Sequence, residues 1–221
     1  MNSIKTIKSA NDFAKDYDRY VQNYQWIGTD VLFGLMYEYI QSNQVLLDIG
    51  IGTGLSSELF KKAGLTIYGV DGAIGMIEVC KEKGIASKFC IADLIQDKAW
   101  FENETVDHAV SHGVFHLIGD LMPIFKQTAV ILKENGCFGF TYESIRNDMD
   151  SYTKSAIEGI CKKQNLQSGI MVFRHSEEYI TKILAMNGFS ILKKIEFTAF
   201  TDERNRTKTY FTGIIVRKQK H

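Results

Sequence analysis

A glycine-rich segment, Asp48–Gly54 (DIGIGTG), holds the residues best suited to binding a small molecule. Glycine permits a tight turn, and it lets a ligand approach the backbone where a Cβ would otherwise stand. The amphipathic stretch that follows, at 55–64, adds the unpaired N–H groups of a helix N-terminus. The spacing G-x-G-x-G differs from the G-x-G-x-x-G of dinucleotide-binding proteins, and the segment lacks the Gly-Lys-Ser/Thr of a phosphate-binding loop. The segment therefore predicts a small-molecule site without defining the ligand.

Two aspartates follow later strands and add to this site. Asp71 ends the run TIYGVD (66–71), and Asp93 ends SKFCIAD (87–93). An acidic side chain at the end of the second strand can bind both hydroxyls of a ribose. Because open parallel sheets bind ligands at the carboxyl ends of their strands, the glycine segment and both aspartates should lie together. The alternative is that each aspartate only caps the helix after it.

An alternation of strands and helices must position these residues. Short apolar runs predict strands at 45–50, 66–71, 87–93, 106–114 and 136–144, and amphipathic patterns predict helices at 55–64, 73–84 and 118–136. Such alternation implies right-handed βαβ crossovers and a parallel sheet that is covered by helices on both faces.

The pattern changes in the C-terminal third of the chain. Residues 151–164 and 176–188 are predicted to be helices, and two strands follow at 189–200 and 209–218. No helix separates these strands, so they should pair as an antiparallel hairpin at one edge of the sheet. We interpret residues 1–221 as one α/β domain in which 1–41 form an N-terminal helical cap.

Three sequence motifs resemble a known family. LLDIGIGTG (46–54), GVDGAIGMIEVC (69–80) and IADL (91–94) resemble successive motifs of the class I S-adenosylmethionine-dependent methyltransferases. The resemblance covers roughly residues 45–217. It implies a Rossmann-like, doubly wound sheet of seven mostly parallel strands, in the order 3-2-1-4-5-7-6, and S-adenosyl-L-methionine as the cofactor. A nicotinamide dehydrogenase, the alternative, would continue its parallel strands and carry the other glycine spacing.

The resemblance also implies roles for individual residues. It places Gly50, Gly52 and Gly54 under the methionine and ribose parts of the cofactor, and it assigns the cofactor's amino group to Asp48. It assigns the ribose hydroxyls to Asp71, the adenine to Gly72, Ala73, Asp93 and Leu94, and the sulfonium to Ser111.

The N-terminal segment FAKDYDRYVQNYQWIG is rich in aromatic residues. It resembles the lead-in helices that fold over the cofactor in the small-molecule branch of the family, and Tyr17 and Tyr24 are its predicted cofactor contacts. The alternative is ordinary amphipathic packing, because Phe13, Tyr17, Tyr20 and Tyr24 recur at helical spacing.

The methyl acceptor is harder to predict, because methyl transfer from a sulfonium is an in-line displacement that depends mostly on orientation. His112 and His116 are candidate catalytic bases, or else polar walls of the pocket. No metal site is expected, since the spacing of His108, His112 and His116 gathers ligands only on a helix. Tyr142 and Glu143 are further pocket candidates. Residues 145–175 form a predicted acceptor lid, in which Arg146, Arg174 and His175 would serve an anionic acceptor.

Composition favours a small acceptor over a nucleic acid. The chain has 26 basic and 26 acidic residues, and its single proline belongs to neither Asn/Asp-Pro-Pro-Tyr nor Pro-Cys, which mark two nucleic-acid methylation chemistries. Four scattered cysteines and the lack of a long apolar run predict a cytoplasmic protein without a membrane segment. The predicted activity is methyl transfer to an N, O or S atom of a small metabolite. The alternatives are a protein- or RNA-modifying methyltransferase with a partner, or a non-catalytic cofactor-binding module; no oligomeric state is predicted.

Overall fold

A large sheet and the helices on its two faces organise the chain. The structure is a computed structural model, and it describes residues 2–97, 99–103, 105–146, 151–166, 168–202 and 207–220. The helices are α1 (Asn2–Asn23), α2 (Gly28–Met36), α3 (Glu58–Lys62), α4 (Ile74–Glu82), α5 (Met122–Ile131) and α6 (Glu177–Met186). The strands are β1 (Val45–Ile49), β2 (Thr66–Asp71), β3 (Lys88–Ile91), β4 (Val106–Ser111), β5 (Leu132–Tyr142), β6 (Thr153–Lys154), β7 (Ile160–Gln164), β8 (Met171–His175), β9 (Phe189–Asp202) and β10 (Thr207–Lys218). Short 3₁₀ helices occur at Tyr37–Tyr39, Leu55–Ser57 and Phe115–Leu117.

The seven-stranded sheet has the predicted topology. Its order is β3-β2-β1-β4-β5-β10-β9, which confirms the order 3-2-1-4-5-7-6 because β9 and β10 are its sixth and seventh strands. The first five strands are parallel, while β10 runs antiparallel to both β5 and β9. The order reverses direction between β1 and β4. In open sheets of this type, ligands bind in the crevice at that reversal.

The central strands are buried on both faces. Leu47 and Ile49 of β1 pack into one hydrophobic cluster, with Phe125 of α5, whereas Leu46 packs into the other, with Leu32 of α2. Successive side chains of a strand point to opposite faces, so a strand covered on both sides needs a continuous apolar run. The sequence Val45–Ile49 has such a run, and Asp48 is its polar exception.

The prediction of a helix at 151–164 is wrong. Thr153–Lys154 and Ile160–Gln164 are strands, and with Met171–His175 they form a separate antiparallel sheet in the order β6-β7-β8. Gly159 has a left-handed φ of +80°, which suits a turn and not a helix interior. Ile160 of β7 pairs with His175 of β8, and the local sequence pattern around Ile160 cannot reveal this strand partner. The predicted helix at 118–136 is likewise shorter, because α5 ends at Ile131 and Leu132 enters β5.

Helix α1 lies across α4 and thereby over the ends of β1 and β2. The backbone N–H of Gly75 donates to Asn11 Oδ1 at 2.7 Å, and a Cβ at Gly75 would crowd the same residue. Asp18 of α1 accepts from Thr53 Oγ1 at 2.5 Å and from Lys83 Nζ at 2.8 Å. These contacts join α1 to the glycine-rich segment. In the described part of the chain, α1 and the other helices are too short or too polar to cross a membrane.

Candidate cofactor and acceptor site

A cavity of about 360 Å³ lies between α1 and the carboxyl ends of the parallel strands. One part of its wall, which we call the cofactor end, follows β1, β2 and β3 and consists of Gly50, Gly52, Asp71, Gly72, Ala73, Asp93 and Leu94. A second part, the acceptor end, consists of Trp26 and the residues after β4, namely His112, Gly113, Val114 and His116. Tyr17 and Tyr20 of α1 close the cavity. The structure thus brings together most of the predicted site residues.

Two glycines of the loop after β1 have conformations that other residues rarely adopt. Gly50 has a φ of +75°, and a Cβ there would lie 3.1 Å from Val114 Cγ1. Gly52 has a φ of +53°, and a Cβ there would meet no protein atom closer than the Gly50 carbonyl oxygen at 4.0 Å. The space above Gly52 is therefore open to a ligand. Gly54 differs, because a Cβ would lie 2.8 Å from Cys80 Sγ; this glycine serves packing against α4 and does not line the cavity.

Asp71 joins the loops that follow β1 and β2. Its Oδ2 accepts the Gly52 N–H at 2.8 Å, and its Oδ1 accepts the Ala73 N–H at 2.8 Å. Burial raises the pKa of Asp71, and the N–H groups of Ala73, Gly52 and Gly72 counteract that rise. The N-cap residue of α4 is Ala73, which lacks a side-chain cap. The carboxylate therefore bridges two loops at the cavity, and capping of α4 does not explain it.

Asp48 lies beneath the glycine loop and outside the cavity wall. Its side chain is fully buried, and Ser57 Oγ donates to its Oδ2 at 2.7 Å. Its Oδ1 has no hydrogen-bond partner among the described residues. Burial raises the pKa of Asp48 to about 7, and the nearby Asp71 adds to the rise. A cation close to this carboxylate would offset the desolvation of its charged form.

Asp93 both shapes a loop and lines the cavity. Its Oδ1 accepts the N–H groups of Ile95 at 2.9 Å and of Gln96 at 3.3 Å, which orders the turn after β3. Leu94 and Ile95 line the cavity beside it. Asp93 therefore orders a turn, where the alternative predicted from the sequence was a helix cap, and it also lines the cavity.

The histidines of the acceptor end are surrounded by aromatic and apolar groups. His112 Nδ1 lies 3.1 Å from Thr141 Oγ1, and its ring packs edge to face against Trp26 at 6.3 Å. The His116 ring lies 5.7 Å from that of Phe211. Burial lowers the pKa values of His112 and His116 to about 4, so both rings are neutral at neutral pH. His108 lies elsewhere, where Gln44 and the backbone of Cys137 contact its ring.

Two further predicted cofactor contacts, besides Gly54, must be corrected. Ser111 is fully buried, and its hydroxyl donates to the Ile49 carbonyl at 2.9 Å, so it links β4 to β1 and does not face the cavity. Tyr24 lies in the turn after α1 and packs between Tyr20, at 4.6 Å, and Phe200 of β9, at 5.6 Å. Tyr20 lines the cavity in its place.

The cationic residues predicted for an anionic acceptor contact other protein groups. Arg174 Nε pairs with Glu143 at 3.3 Å, and Arg146 pairs with Glu196 at 2.6 Å. His175 Nε2 contacts the Gly119 carbonyl at 2.8 Å, and burial lowers its pKa to about 4. Tyr142 is buried in the core. None of these residues lines the cavity, and part of the predicted lid, 147–150 and 167, lies outside the described residues.

Sequence reasoning missed the importance of Trp26 and Asp18. Both lie in the aromatic segment before β1, but their contacts with the loops after β4 and β1 join residues far apart in the chain. The adjacent Tyr17, a predicted cofactor contact, lines the cavity, and burial raises its pKa to about 12, so its hydroxyl stays protonated.

Comparison with known sequences agrees with this geometry. The profile of a methyltransferase domain matches residues 47–140, which contain the loops of the cofactor end and the acceptor end. This match supports assignment to the class I S-adenosylmethionine-dependent methyltransferases. A malonyl-[acyl-carrier protein] O-methyltransferase of Legionella pneumophila is 28% identical to this chain over 139 residues, which are 61% of the chain and 48% of that protein. The chain therefore spans about half the length of this curated relative.

Solved structures share the fold of this chain. One of them is a chain in the complex between the Haloferax volcanii Trm112 methyltransferase activator and a putative methyltransferase. It superposes with a TM-score of 0.76 at 15% identity, and the alignment covers 97% of this chain and 98% of that one. Another is the Burkholderia thailandensis 1,6-didemethyltoxoflavin-N1-methyltransferase with bound 1,6-didemethyltoxoflavin and S-adenosylhomocysteine. Its TM-score is 0.68 at 12% identity, and the alignment covers 96% of this chain and 87% of that one. At these identities the similarity supports the fold alone.

Proposed function

We propose that this protein is an enzyme that binds S-adenosylmethionine in the cavity and transfers its methyl group to an N, O or S atom of a small molecule. The observation that carries the proposal is the position of Asp71. Its carboxylate lies at the end of β2 and bridges Gly52 and Ala73, beside the open space above Gly52. An acidic group at this place in an open parallel sheet is suited to the two hydroxyls of a ribose.

The residues of the cofactor end fit the remaining parts of that ligand. The buried Asp48 Oδ1 lacks a partner among the described residues, and the ammonium group of the cofactor would supply one directly or through a water. Gly50 and Gly52 leave room for the methionine and ribose parts. Gly72, Ala73, Asp93 and Leu94 would line the adenine, and Tyr17 would cover the ligand from α1.

The cofactor, when bound, would supply an activated methyl group on a positively charged sulfur that keeps the electron pair of the broken bond and so needs no acid. The protein's contribution is to hold the two reactants in line and to exclude water. Trp26, His112, Val114 and His116 form the apolar, uncharged wall that performs this task.

The position of α1 favours a small acceptor over a macromolecule. Helix α1 covers the cavity, and Asp18 holds it on the glycine loop through Thr53 and on α4 through Lys83. A volume of about 360 Å³ lies within the range of small-molecule pockets. We also propose a cytoplasmic location, because all four cysteines are free thiols, as expected in a reducing compartment.

Calorimetry with S-adenosylmethionine and S-adenosylhomocysteine tests the proposal. Asp71→Ala should weaken binding about 100-fold, because a charged hydrogen bond contributes about 1.5–3 kcal/mol and 1.4 kcal/mol corresponds to a factor of ten. Asp16→Ala is the matched control, since Asp16 is an exposed carboxylate of α1 that pairs with Arg19 and does not line the cavity. Failure of the wild type to bind, or equal binding by Asp71→Ala, would contradict the proposal. A protein that binds the cofactor but labels no acceptor in a cell extract would be a binding module.

A further inference from the structure

Two nitrogen atoms at the acceptor end are buried without a hydrogen-bond partner. These are Trp26 Nε1 and His112 Nε2, and neither has a partner among the described residues. Both residues line the main cavity, and both also line a side cavity of about 40 Å³ next to the glycine loop. Because buried polar groups are nearly always hydrogen-bonded, a molecule that enters this region is expected to supply the missing partner.

Thr141 is the hydrogen-bond partner of His112 Nδ1. Strand pairing of Ser111 with Phe140 brings the next residues, His112 and Thr141, side by side. Thr141 Oγ1 accepts the Gly113 N–H at 3.2 Å and lies 3.1 Å from His112 Nδ1. The Thr141 hydroxyl either donates to Nδ1 or accepts from it, according to the tautomer of the ring. When Nδ1 accepts, the neutral ring carries its hydrogen on Nε2, and Trp26 and His112 then each present an N–H donor.

The acceptor end offers no strong base. None of its residues is an aspartate, glutamate, lysine or arginine, and its two histidines are neutral. A base whose pKa is about 4 removes a proton poorly from an alcohol or an ammonium group at neutral pH. The acceptor atom that best suits this wall is one that is already deprotonated in solution and that accepts hydrogen bonds from two N–H groups.

We propose that the methyl acceptor is a small carboxylic acid and that Trp26 Nε1–H and His112 Nε2–H hydrogen-bond its carboxylate. This inference rests on the proposed methyltransferase function and names the acceptor class for it. A carboxylate oxygen attacks the methyl carbon, the carbon–sulfur bond breaks, and the electron pair remains on sulfur. The products are a methyl ester and a neutral thioether, and no proton is transferred. In this proposal His112 is a hydrogen-bond donor to the acceptor and not a general base, which was one of the two roles that the sequence left open.

The uncharged acceptor end also favours methylation of a carboxylate over methylation of an amine. A carboxylate and a sulfonium carry opposite charges that disappear as the new bond forms. A site with few water molecules and no competing charge stabilises such a transition state relative to the separated, hydrated ions, because the ions attract each other more strongly there. A protonated amine would meet the sulfonium as a like charge, and the described acceptor end has no carboxylate to neutralise it.

The chemical stability of the transferred methyl group tests the acceptor class. The full-length protein is incubated with methyl-tritiated S-adenosylmethionine and the low-molecular-mass fraction of a cell extract, and the products are then treated with alkali. Methyl esters release volatile tritiated methanol, whereas methyl groups on amines, thiols and ether oxygens stay in place. We expect most of the transferred label to become volatile. Label that resists alkali, or the absence of any labelled product, would overturn the inference.

Calorimetry with the cofactor on the same preparation distinguishes a wrong acceptor class from a wrong proposed function. If the cofactor binds and no ester forms, the carboxylate assignment is wrong while the cofactor site stands. If the cofactor does not bind, the proposed function itself is wrong.

Variants then test the two donors. Trp26→Phe removes one N–H and keeps a ring, and it should raise the KM for the esterified acid by about 10-fold to 100-fold, with a smaller change in kcat and in cofactor affinity. Trp100→Phe is the matched control, because Trp100 is buried in the core and does not line the cavity. Nitrogen-15 spectra of His112 should show Nε2–H in the wild type. The Nδ1–H form, or equal KM values for Trp26→Phe and the wild type, would contradict the role of these donors.

Discussion

The two ends of the cavity are built by different means. At the cofactor end, the backbone determines the site: Gly50 and Gly52 have positive φ, and Asp71 accepts N–H groups from two loops. At the acceptor end, side chains determine it: the His112 ring lies against Trp26 and beside Thr141. The first end depends on residues that few substitutions can replace, whereas the second depends on ring packing that many sequences can provide.

This difference explains why the sequence indicates the class of cofactor but does not indicate the methyl acceptor. A positive φ restricts a position largely to glycine, so the glycines of the sequence indicate this backbone conformation. Ring packing and burial act through contacts between distant segments. Burial favours the neutral form of an ionisable group: it raises the pKa of Asp48, beneath the glycine loop, to about 7, and it lowers that of His112 to about 4.

The largest expected effect is a loss of stability in acid that originates at three buried histidines, two at the acceptor end and one, His175, outside the cavity. His112, His116 and His175 have pKa values of about 4 in the folded protein against 6.5 ordinarily, so the unfolded chain binds more protons between these values. The free energy of unfolding is then fully present above pH 6.5 and falls as the pH drops toward 4. At pH 5 the loss is on the order of 2 kcal/mol for each buried histidine.

Denaturant titrations between pH 5 and pH 8 measure this loss. Asp48 and Asp71, whose pKa values are raised, act in the opposite direction and reduce it. A protein that is equally stable or more stable at pH 5 would show that the histidines of the acceptor end are hydrated in solution.

A smaller effect is expected when one methyl group is added to Gly52 at the cofactor end. Gly52→Ala forces a residue with a Cβ into a φ of +53° and places that Cβ in open space of the cavity. We expect the free energy of unfolding to fall by about 1 kcal/mol and cofactor affinity to fall more than about 10-fold. Gly34→Ala is the control, because a Cβ there meets no atom within 4 Å. Unchanged cofactor affinity in Gly52→Ala would place the ligand elsewhere.

The pH dependence of cofactor affinity tests Asp48 separately. Its folded pKa of about 7 means that the free protein must lose a proton before the carboxylate can pair with the cofactor's ammonium group. Affinity should therefore rise with pH through 7, by up to about 10-fold per pH unit below that value. Asp48→Asn should abolish the dependence. Isothermal titration at several pH values measures it, and an affinity that falls with rising pH would contradict the pairing.

The smallest effects should distinguish Tyr17 of α1 from Tyr24, which follows that helix. Tyr17→Phe should weaken cofactor binding about 5-fold, because Tyr17 lines the cavity and the substitution removes its hydroxyl. Tyr24→Phe should leave binding unchanged within about 2-fold, since Tyr24 packs on Tyr20 and Phe200. Equal effects of the two substitutions would mean that α1 does not cover the cofactor in the orientation described.

Local patterns predicted the parts of the fold that depend on local rules. The apolar run Val45–Ile49 and the end-of-strand position of Asp71 identified the sheet and the cavity edge, because strand–helix alternation implies the topology. The wrong helix at 151–164 shows the limit. Ile160 pairs with His175 across 15 positions of sequence, and neither residue shows this pairing in its own segment. The same reason kept Trp26 and Thr141 out of the predicted site.

The most direct test of the central claim is a crystal structure of the protein with S-adenosylhomocysteine. We predict that the ribose hydroxyls lie within hydrogen-bond distance of the Asp71 carboxylate, with the ligand above Gly52 and beneath Tyr17. A nucleoside bound away from Asp71, or a cavity that stays free of ligand at saturating concentration, would contradict the account.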